Sequence, residues 1–386
     1  MEPQINKVCF LFFGFSNYFG FFLMLSAAKS MMKGVAATST VLFCDITPKL
    51  IVKIVLPFVQ DKIKDIVYIL AIVVLSTVGY ILASFSYQNM YLGLGGVVLT
   101  SAATGVGDVF LCGYSTRFST KAIGHYMSGS GLASLFSSLL FALLVDVLNC
   151  NPKYVIYSFL ALPFLLLECF LISSEYHSPG QQDESKALAK TGYEVLSDNS
   201  VYTEQISTAD STQASTKDKF KALLKSAYLY IITLLVITAE YTINQSINPV
   251  IEFPNTTWSG KYFTFSQVAG NLGSFFGKSS LSCFKCPRWL LLLPTSIVLL
   301  LFVFYSCEAV FHFINEFWLL LCFGVVYGFA SGTAKTQSFF WVQIEQKEEH
   351  KKFAVSFMTF TASFAVFVAS LIGFGYEGFL ERQKRW

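Results

Sequence analysis

The sequence predicts an all-α polytopic membrane protein made of two helical bundles. Three observations carry that prediction. Over 386 residues the chain is 54% hydrophobic and only 13% charged, where a soluble domain carries about 25% charged residues. Roughly eleven apolar runs are long enough to cross a bilayer, a helical span needing about 20 residues. One long polar segment divides those runs into six and five, with the last span of a second six missing.

The first bundle, 1–173, holds predicted spans at 8–28, 35–59, 66–86, 90–113, 121–148 and 154–173. The run from 8 to 28 is too long for the apolar core of a cleavable signal peptide and reads as a span. Segment 174–225 follows, rich in Ser, Thr, Gln, Asp and Lys; it cannot bury enough apolar surface to fold alone and reads as a disordered linker. The second bundle, 226–386, holds spans at 226–249, 259–282, 288–310, 315–340 and 353–378.

Basic residues in short loops set orientation. With the N-terminus in the cytosol, the cytosolic side receives Lys62, Lys64, Arg117, Lys121, the linker lysines, Lys285, Arg288, Lys347, Lys351 and Lys352. The basic tail around Arg382 and Arg385 breaks this pattern, so either the tail is translocated or the last segment re-enters instead of crossing. Asn255-Thr256-Thr257 is a glycosylation sequon in a loop this topology places in the lumen. Asn244-Gln245-Ser246 also matches but lies within a span. In the linker, Tyr193-Glu194-Val195-Leu196 has the form read by adaptor proteins on cytosolic tails.

Ionisable groups at membrane depth are expensive and tend to be functional. In the second span Asp45, Lys49 and Lys53 lie on one helix face at i, i+4 and i+8, with Pro48 among them. They read either as a cavity lining or as an Asp45–Lys49 pair with Lys53 reaching to the interface. In the seventh span Glu240, Tyr241, Asn244 and Gln245 form the most polar stretch, and a lone carboxyl such as Glu240 suits proton coupling. The eighth offers Gln267, Asn271 and Lys278 with glycines 270, 273 and 277 at close-packing spacing. The tenth carries Lys335, a candidate to hold an anionic substrate or to pair with Glu240. Asp108 and Arg117 fall near the cytosolic end of the fourth span. With His125 and Lys278 they are gate or coupling candidates, the glycines of 105–113 packing on those of 124–131 as a hinge.

Other chemistries find little support. Cys283 and Cys286 form a CxxC without a second pair or a His at ligand spacing, so no metal is expected, and no cofactor either. Gly105-Val106-Gly107-Asp108 matches the GxGD pattern of intramembrane aspartyl proteases, but the preceding span lacks the second carboxylate such chemistry shares a proton with. The net charge of +3 is too small to suggest a nucleic-acid partner. The expected partners are the bilayer, a small solute, a proton and adaptor proteins on the linker.

Several blocks together resemble the battenin family of lysosomal and vacuolar membrane proteins. They are Asp45-Ile46-Thr47-Pro48-Lys49-Leu50-Ile51-Val52-Lys53, Gly105-Val106-Gly107-Asp108, Ser128-Gly129-Ser130-Gly131, Ala239-Glu240-Tyr241-Thr242-Ile243-Asn244-Gln245, the sequon at Asn255, Lys278-Ser279-Ser280-Leu281 and Phe353-Ala354. The resemblance implies a major-facilitator-like fold with a 6+5 count of spans, residence in the lysosomal or vacuolar membrane, and export of glycerophosphodiesters. In fungi it implies a part in vacuolar pH and basic amino-acid balance. The family usually has Glu at the place of Asp108 and an aromatic residue at that of Lys335, and no prenylation box closes this chain. The expected function is non-enzymatic: transport of a small polar metabolite by alternating access. A trafficking scaffold working through the linker is the alternative, and the protease a distant third.

Overall fold

The computed structural model describes residues 4–32, 37–56, 63–115, 118, 120–175, 223–224, 226–253, 260–346 and 348–383. Among the described residues the secondary structure is helical, without strands. In chain order the helices are α1 (Gln4–Met32), α2 (Ser39–Val55), α3 (Asp65–Ser84), α4 (Met90–Ser115), α5 (Thr120–Phe141), α6 (Pro152–Ser158), α7 (Leu162–Glu175), α8 (Ala227–Thr242), α9 (Tyr262–Cys283), α10 (Leu292–Phe311), α11 (Phe317–Glu345) and α12 (Glu348–Gln383). Nine candidate spans, with α6 and α7 counted together, are long and apolar enough to cross a membrane. The other two long helices are α2, of 17 residues, and α9, diluted by polar and small residues.

Local chemistry explains the boundaries. Asn151 caps α6, its side chain accepting from the Lys153 N–H at 3.0 Å with Pro152 at the first turn. The predicted span 154–173 is broken at Phe159–Ala161, because Pro163 has no N–H to continue the ladder and instead opens α7. α10 ends at His312, whose backbone is left-handed (φ 44°). α5 and α8 both widen at their C-terminal ends into π-type turns, Ala142–Val147 and Ile243–Ile247; such turns often mark functional segments. The last segment forms one continuous 36-residue helix, about 54 Å long at 1.5 Å per residue. A re-entrant turn there is not what the chain builds.

Small residues decide which helices touch. A Cβ built on Gly14 of α1 would meet the Tyr126 carbonyl of α5 at 1.9 Å, and one on Gly129 the Leu11 carbonyl of α1 at 1.9 Å. In the second half α9 and α11 interlock similarly, a Cβ on Gly273 meeting the Val325 carbonyl at 2.0 Å and one on Gly328 the Gly270 carbonyl at 2.0 Å. Contacts this close leave no room for side chains and let dispersion act between backbones. The expected hinge of 105–113 against 124–131 is therefore a misassignment of partners. Gly105 of α4 packs on the Lys49 backbone of α2, Gly107 makes room for Asn17 of α1, and of the α5 glycines Gly129 faces α1 and Gly131 faces α9.

Serines 130, 134, 137 and 138 line α5 and are satisfied by carbonyls of their own helix, leaving their faces free to pack. The helices up to α7 pack on one another, as do those from α8 onward; the halves meet mainly through α5 with α9 and α2 with α12. An apolar cluster bridges the seam: Phe21, Phe22, Leu25, Leu42 and Ile46 against Ile237, Ala365 and Val366.

Candidate functional site

The face of α2 that carries Asp45, Lys49 and Lys53 is turned inward, and the three side chains have different surroundings. Lys53 does not reach for an interface. Its Nζ lies 2.8 Å from Asp108 Oδ2, at side-chain exposures of 5% and 2%. It also donates to Ser363 Oγ at 2.9 Å and the Thr359 carbonyl at 3.4 Å, both on α12. Asn17 Nδ2 (3.0 Å) and Tyr126 Oη (2.9 Å) donate to Asp108 Oδ1, and Tyr18 Oη donates to Oδ2 at 3.0 Å. A buried carboxylate supplied this fully repays its desolvation, while either charge left alone would not.

Asp108 is thus a buried joint at the seam between halves, two turns before the C-terminal end of α4. With its oxygens held by Lys53, Asn17, Tyr18 and Tyr126, it is not half of a proton-sharing carboxylate pair.

Lys49, also buried, has no carboxylate within ion-pair distance among the described residues. Its ammonium rests 3.7 Å from the Phe21 ring centroid and 5.5 Å from that of Tyr18, a cation–π arrangement. Both oxygens of Asp45 lack a hydrogen-bond partner. The expected internal Asp45–Lys49 pair is therefore not formed.

α8 presents the second set. Glu240 accepts from Ser331 Oγ at 2.5 Å, and one turn on Asn244 Oδ1 accepts from Tyr327 Oη at 2.6 Å. Ser331 and Tyr327 are themselves one turn apart on α11, so the two bonds form successive rungs between helices. Gln267 of α9 donates to the Asn244 carbonyl at 3.0 Å. Gln245 points into the interior with its amide unpartnered, while its carbonyl accepts from Ser39 Oγ at 3.3 Å. Tyr241 stacks obliquely near Phe21 across the seam, ring centroids 6.3 Å apart. Asn271 is half-buried on α9.

Lys335 makes no ion pair with Glu240, although it lies within electrostatic reach of Glu240 and of Lys53 and Asp108 in the other half. It is half-buried on α11 and stands close to charged groups of both halves. Lys278 of α9 lies within electrostatic reach of Lys335 and Glu240, its Nζ 5.2 Å from the Phe22 ring centroid. The cluster so assembled holds Lys49, Lys53, Lys278 and Lys335 against Asp45, Asp108 and Glu240, and only Lys53 and Asp108 are paired directly.

His125 is half-buried on α5 and joins none of these bonds. Arg117, Asn255, Tyr193, Leu196 and almost all of 174–225 lie outside the described residues. Sequence reasoning missed Asn17, Tyr18, Tyr327, Ser331 and Ser363. Asn17, a lone amide in an aromatic run, was the one legible sign. It also passed over Glu377, an acid inside the final apolar run. Glu377 accepts from the Thr38 N–H (3.3 Å) and Ser39 Oγ (3.4 Å) at the start of α2.

Comparison with known proteins fits this architecture. The structure resembles a bacterial homolog to the human lysosomal transporter Spinster, solved inward-facing and unoccupied, with a TM-score of 0.58 at 11% identity over 97% of this chain and 81% of that one. It also resembles a POT family peptide transporter, with a TM-score of 0.61 at 9% identity over 99% of this chain and 96% of that one. These likenesses show a major-facilitator-like fold. By sequence the chain is similar to battenin of Canis lupus familiaris, 25% identical over 97% of this chain and 91% of the relative. Protein BTN1 of Saccharomyces cerevisiae is 25% identical over 97% of this chain and 95% of the relative. A family model described as CLN3 protein matches residues 8–382, and the chain accordingly belongs to the CLN3 protein family.

Proposed function

We propose that this protein is a lysosomal or vacuolar membrane transporter that carries a small anionic metabolite through the seam between its halves by alternating access. Family and fold support a membrane transporter in general. The observation that carries the anionic reading is the surplus of cations: Lys49, Lys278 and Lys335 converge from α2, α9 and α11 without a carboxylate in ion-pair contact among the described residues. Unpaired charge at membrane depth is costly, and a bound anion would relieve it. Glu240, Tyr241, Asn244 and Asn271 supply polar edges beside these lysines. The family resemblance favours a glycerophosphodiester, whose phosphate suits the lysines and whose hydroxyls suit the polar edge.

In this reading α2 and α9 complete a six-plus-five set of spans. They are too short or too polar to stand in lipid alone because they line the pathway. The N-terminus and the 174–225 linker face the cytosol, and the Asn255 loop faces the lumen. The test is an untargeted comparison of metabolites in lysosomes or vacuoles with and without the protein. Retention of glycerophosphodiesters in its absence is expected. Unchanged levels, with some cationic or neutral solute retained instead, would overturn the anionic reading.

A further inference from the structure

We infer that Asp45 is the group that binds and releases a proton during transport; the inference rests on the transporter reading above. Of the carboxylates in the cluster, Asp45 alone has no support. It is 1% exposed, and neither of its oxygens has a hydrogen-bond partner. Asp108 is held by donors at 2.8–3.0 Å and Glu240 by Ser331 at 2.5 Å.

Its neighbours are Ser101 on α4, whose hydroxyl is also unpartnered, Lys49 and Cys44 on its own helix, and Tyr241 of α8. Through Lys49 it senses Asp108, Lys53 and Lys335. An ionised carboxylate stripped of donors in so dry a place is costly, whereas a neutral carboxyl needs only an acceptor for its hydroxyl. Ser101 Oγ, beside Asp45 but outside hydrogen-bond geometry in this structure, becomes that acceptor once the carboxyl turns toward it. Lys49 sits one turn along the same face, parked on the Phe21 ring. When the proton leaves, a rotamer change brings the ammonium back to the new charge at i+4. Proton and ammonium are thus alternative partners of one carboxylate.

Location suits the role. Six residues before Asp45, about 9 Å along the helix, Ser39 closes the seam. Its Oγ lies 3.3 Å from Ser246 Oγ and 3.4 Å from Glu377 Oε2, and a Cβ on Gly373 would meet it at 2.2 Å. On the other flank Lys49 lies on the Phe21 ring, which meets Tyr241 of α8 across the seam at 6.3 Å between centroids. Rocking the halves apart at Ser39 opens Asp45 to one side of the membrane, and parting them at the Phe21–Tyr241 contact opens it to the other.

The test uses the purified full chain in two assays. In infrared difference spectra between acidic and neutral pH, Asp45→Asn should delete one protonated-carboxyl band that Glu240→Gln leaves in place. An unchanged spectrum in Asp45→Asn overturns the assignment. In proteoliposomes, accumulation of labelled glycerophosphocholine driven by a pH gradient should fall at least tenfold in Asp45→Asn, while counterflow, which moves no net proton, persists. Accumulation that survives the substitution also overturns it. A wild type without counterflow would refute the transporter reading, and the infrared assay would still decide the proton site. Should Asp45→Asn not fold, Lys49→Gln removes the group that holds the ionised form. The carboxyl band should then persist to higher pH, and no change in its pH dependence overturns the inference.

Discussion

Replacing Asp108 with Asn tests the joint between halves most sharply. The side chain keeps its shape but loses its charge, leaving Lys53 buried at 5% side-chain exposure with only Ser363 and the Thr359 carbonyl as partners. Breaking one side of a buried ion pair costs about 3–5 kcal/mol. The new amide also turns donor atoms toward Asn17, Tyr18 or Tyr126, each of which donates to Asp108. An unsatisfied buried group adds about 1–3 kcal/mol. Unfolding in mixed micelles of rising SDS fraction gives the readout, with Asp108→Asn, Lys53→Met and the double variant compared. Each single substitution should lower stability by several kcal/mol. The double should recover part of that loss, showing a coupling of about 0.5–3 kcal/mol. Strictly additive losses would show that the 2.8 Å contact contributes nothing particular, and would refute the joint.

Three further outcomes follow from the same geometry. Cysteines at Ser39 and Ser246, whose hydroxyl oxygens are 3.3 Å apart, should form a disulfide on mild oxidation, the separation being within reach of such a bond. Transport should stop until the bond is reduced, and undiminished flux in the cross-linked protein would show that this end need not open. Gly273→Leu drives a side chain into the Val325 carbonyl; such overpacking costs about 1–3 kcal/mol or more, visible as loss of monodisperse protein on size exclusion, whereas Gly375→Leu, where nothing lies within 4 Å of a built Cβ, should be tolerated. Lys335→Met removes one charge-assisted contact worth about 1.5–3 kcal/mol, so binding of labelled glycerophosphocholine to purified protein should weaken roughly 10- to 150-fold. Unaltered binding would remove Lys335 from the site.

Much of this was legible in the chain because hydrophobic length is a strong signal. The runs around α1, α3, α4 and α10 fall close to their predicted bounds, each being apolar for its whole length. Pairing was not legible. Gly105 and Gly129 both announce close approach, but the partners, Lys49 in one case and Leu11 in the other, depend on the three-dimensional arrangement of helices that pattern alone does not encode. The charged cluster shows the same divide. Spacing put Asp45, Lys49 and Lys53 on one face, yet a helical wheel cannot tell that Lys53 finds Asp108 on another helix while Lys49 finds an aromatic ring. Nor does it reveal that Glu240 and Asn244 meet Ser331 and Tyr327 as matched rungs. Polarity within a span marks where a function sits, and tertiary contacts decide which charges remain unpaired.

The central claim is that Lys49, Lys278 and Lys335 form the anion-binding pathway of a transporter. Counterflow of labelled glycerophosphocholine in proteoliposomes tests it most directly, with wild type set beside the Lys49→Met, Lys278→Met and Lys335→Met variants. The account predicts exchange by the wild type, competed by other phosphodiesters but not by free glycerol, and lowered by each substitution in protein that remains folded. Exchange that proceeds equally well in all three variants, or that free glycerol competes as strongly as a phosphodiester does, would contradict it.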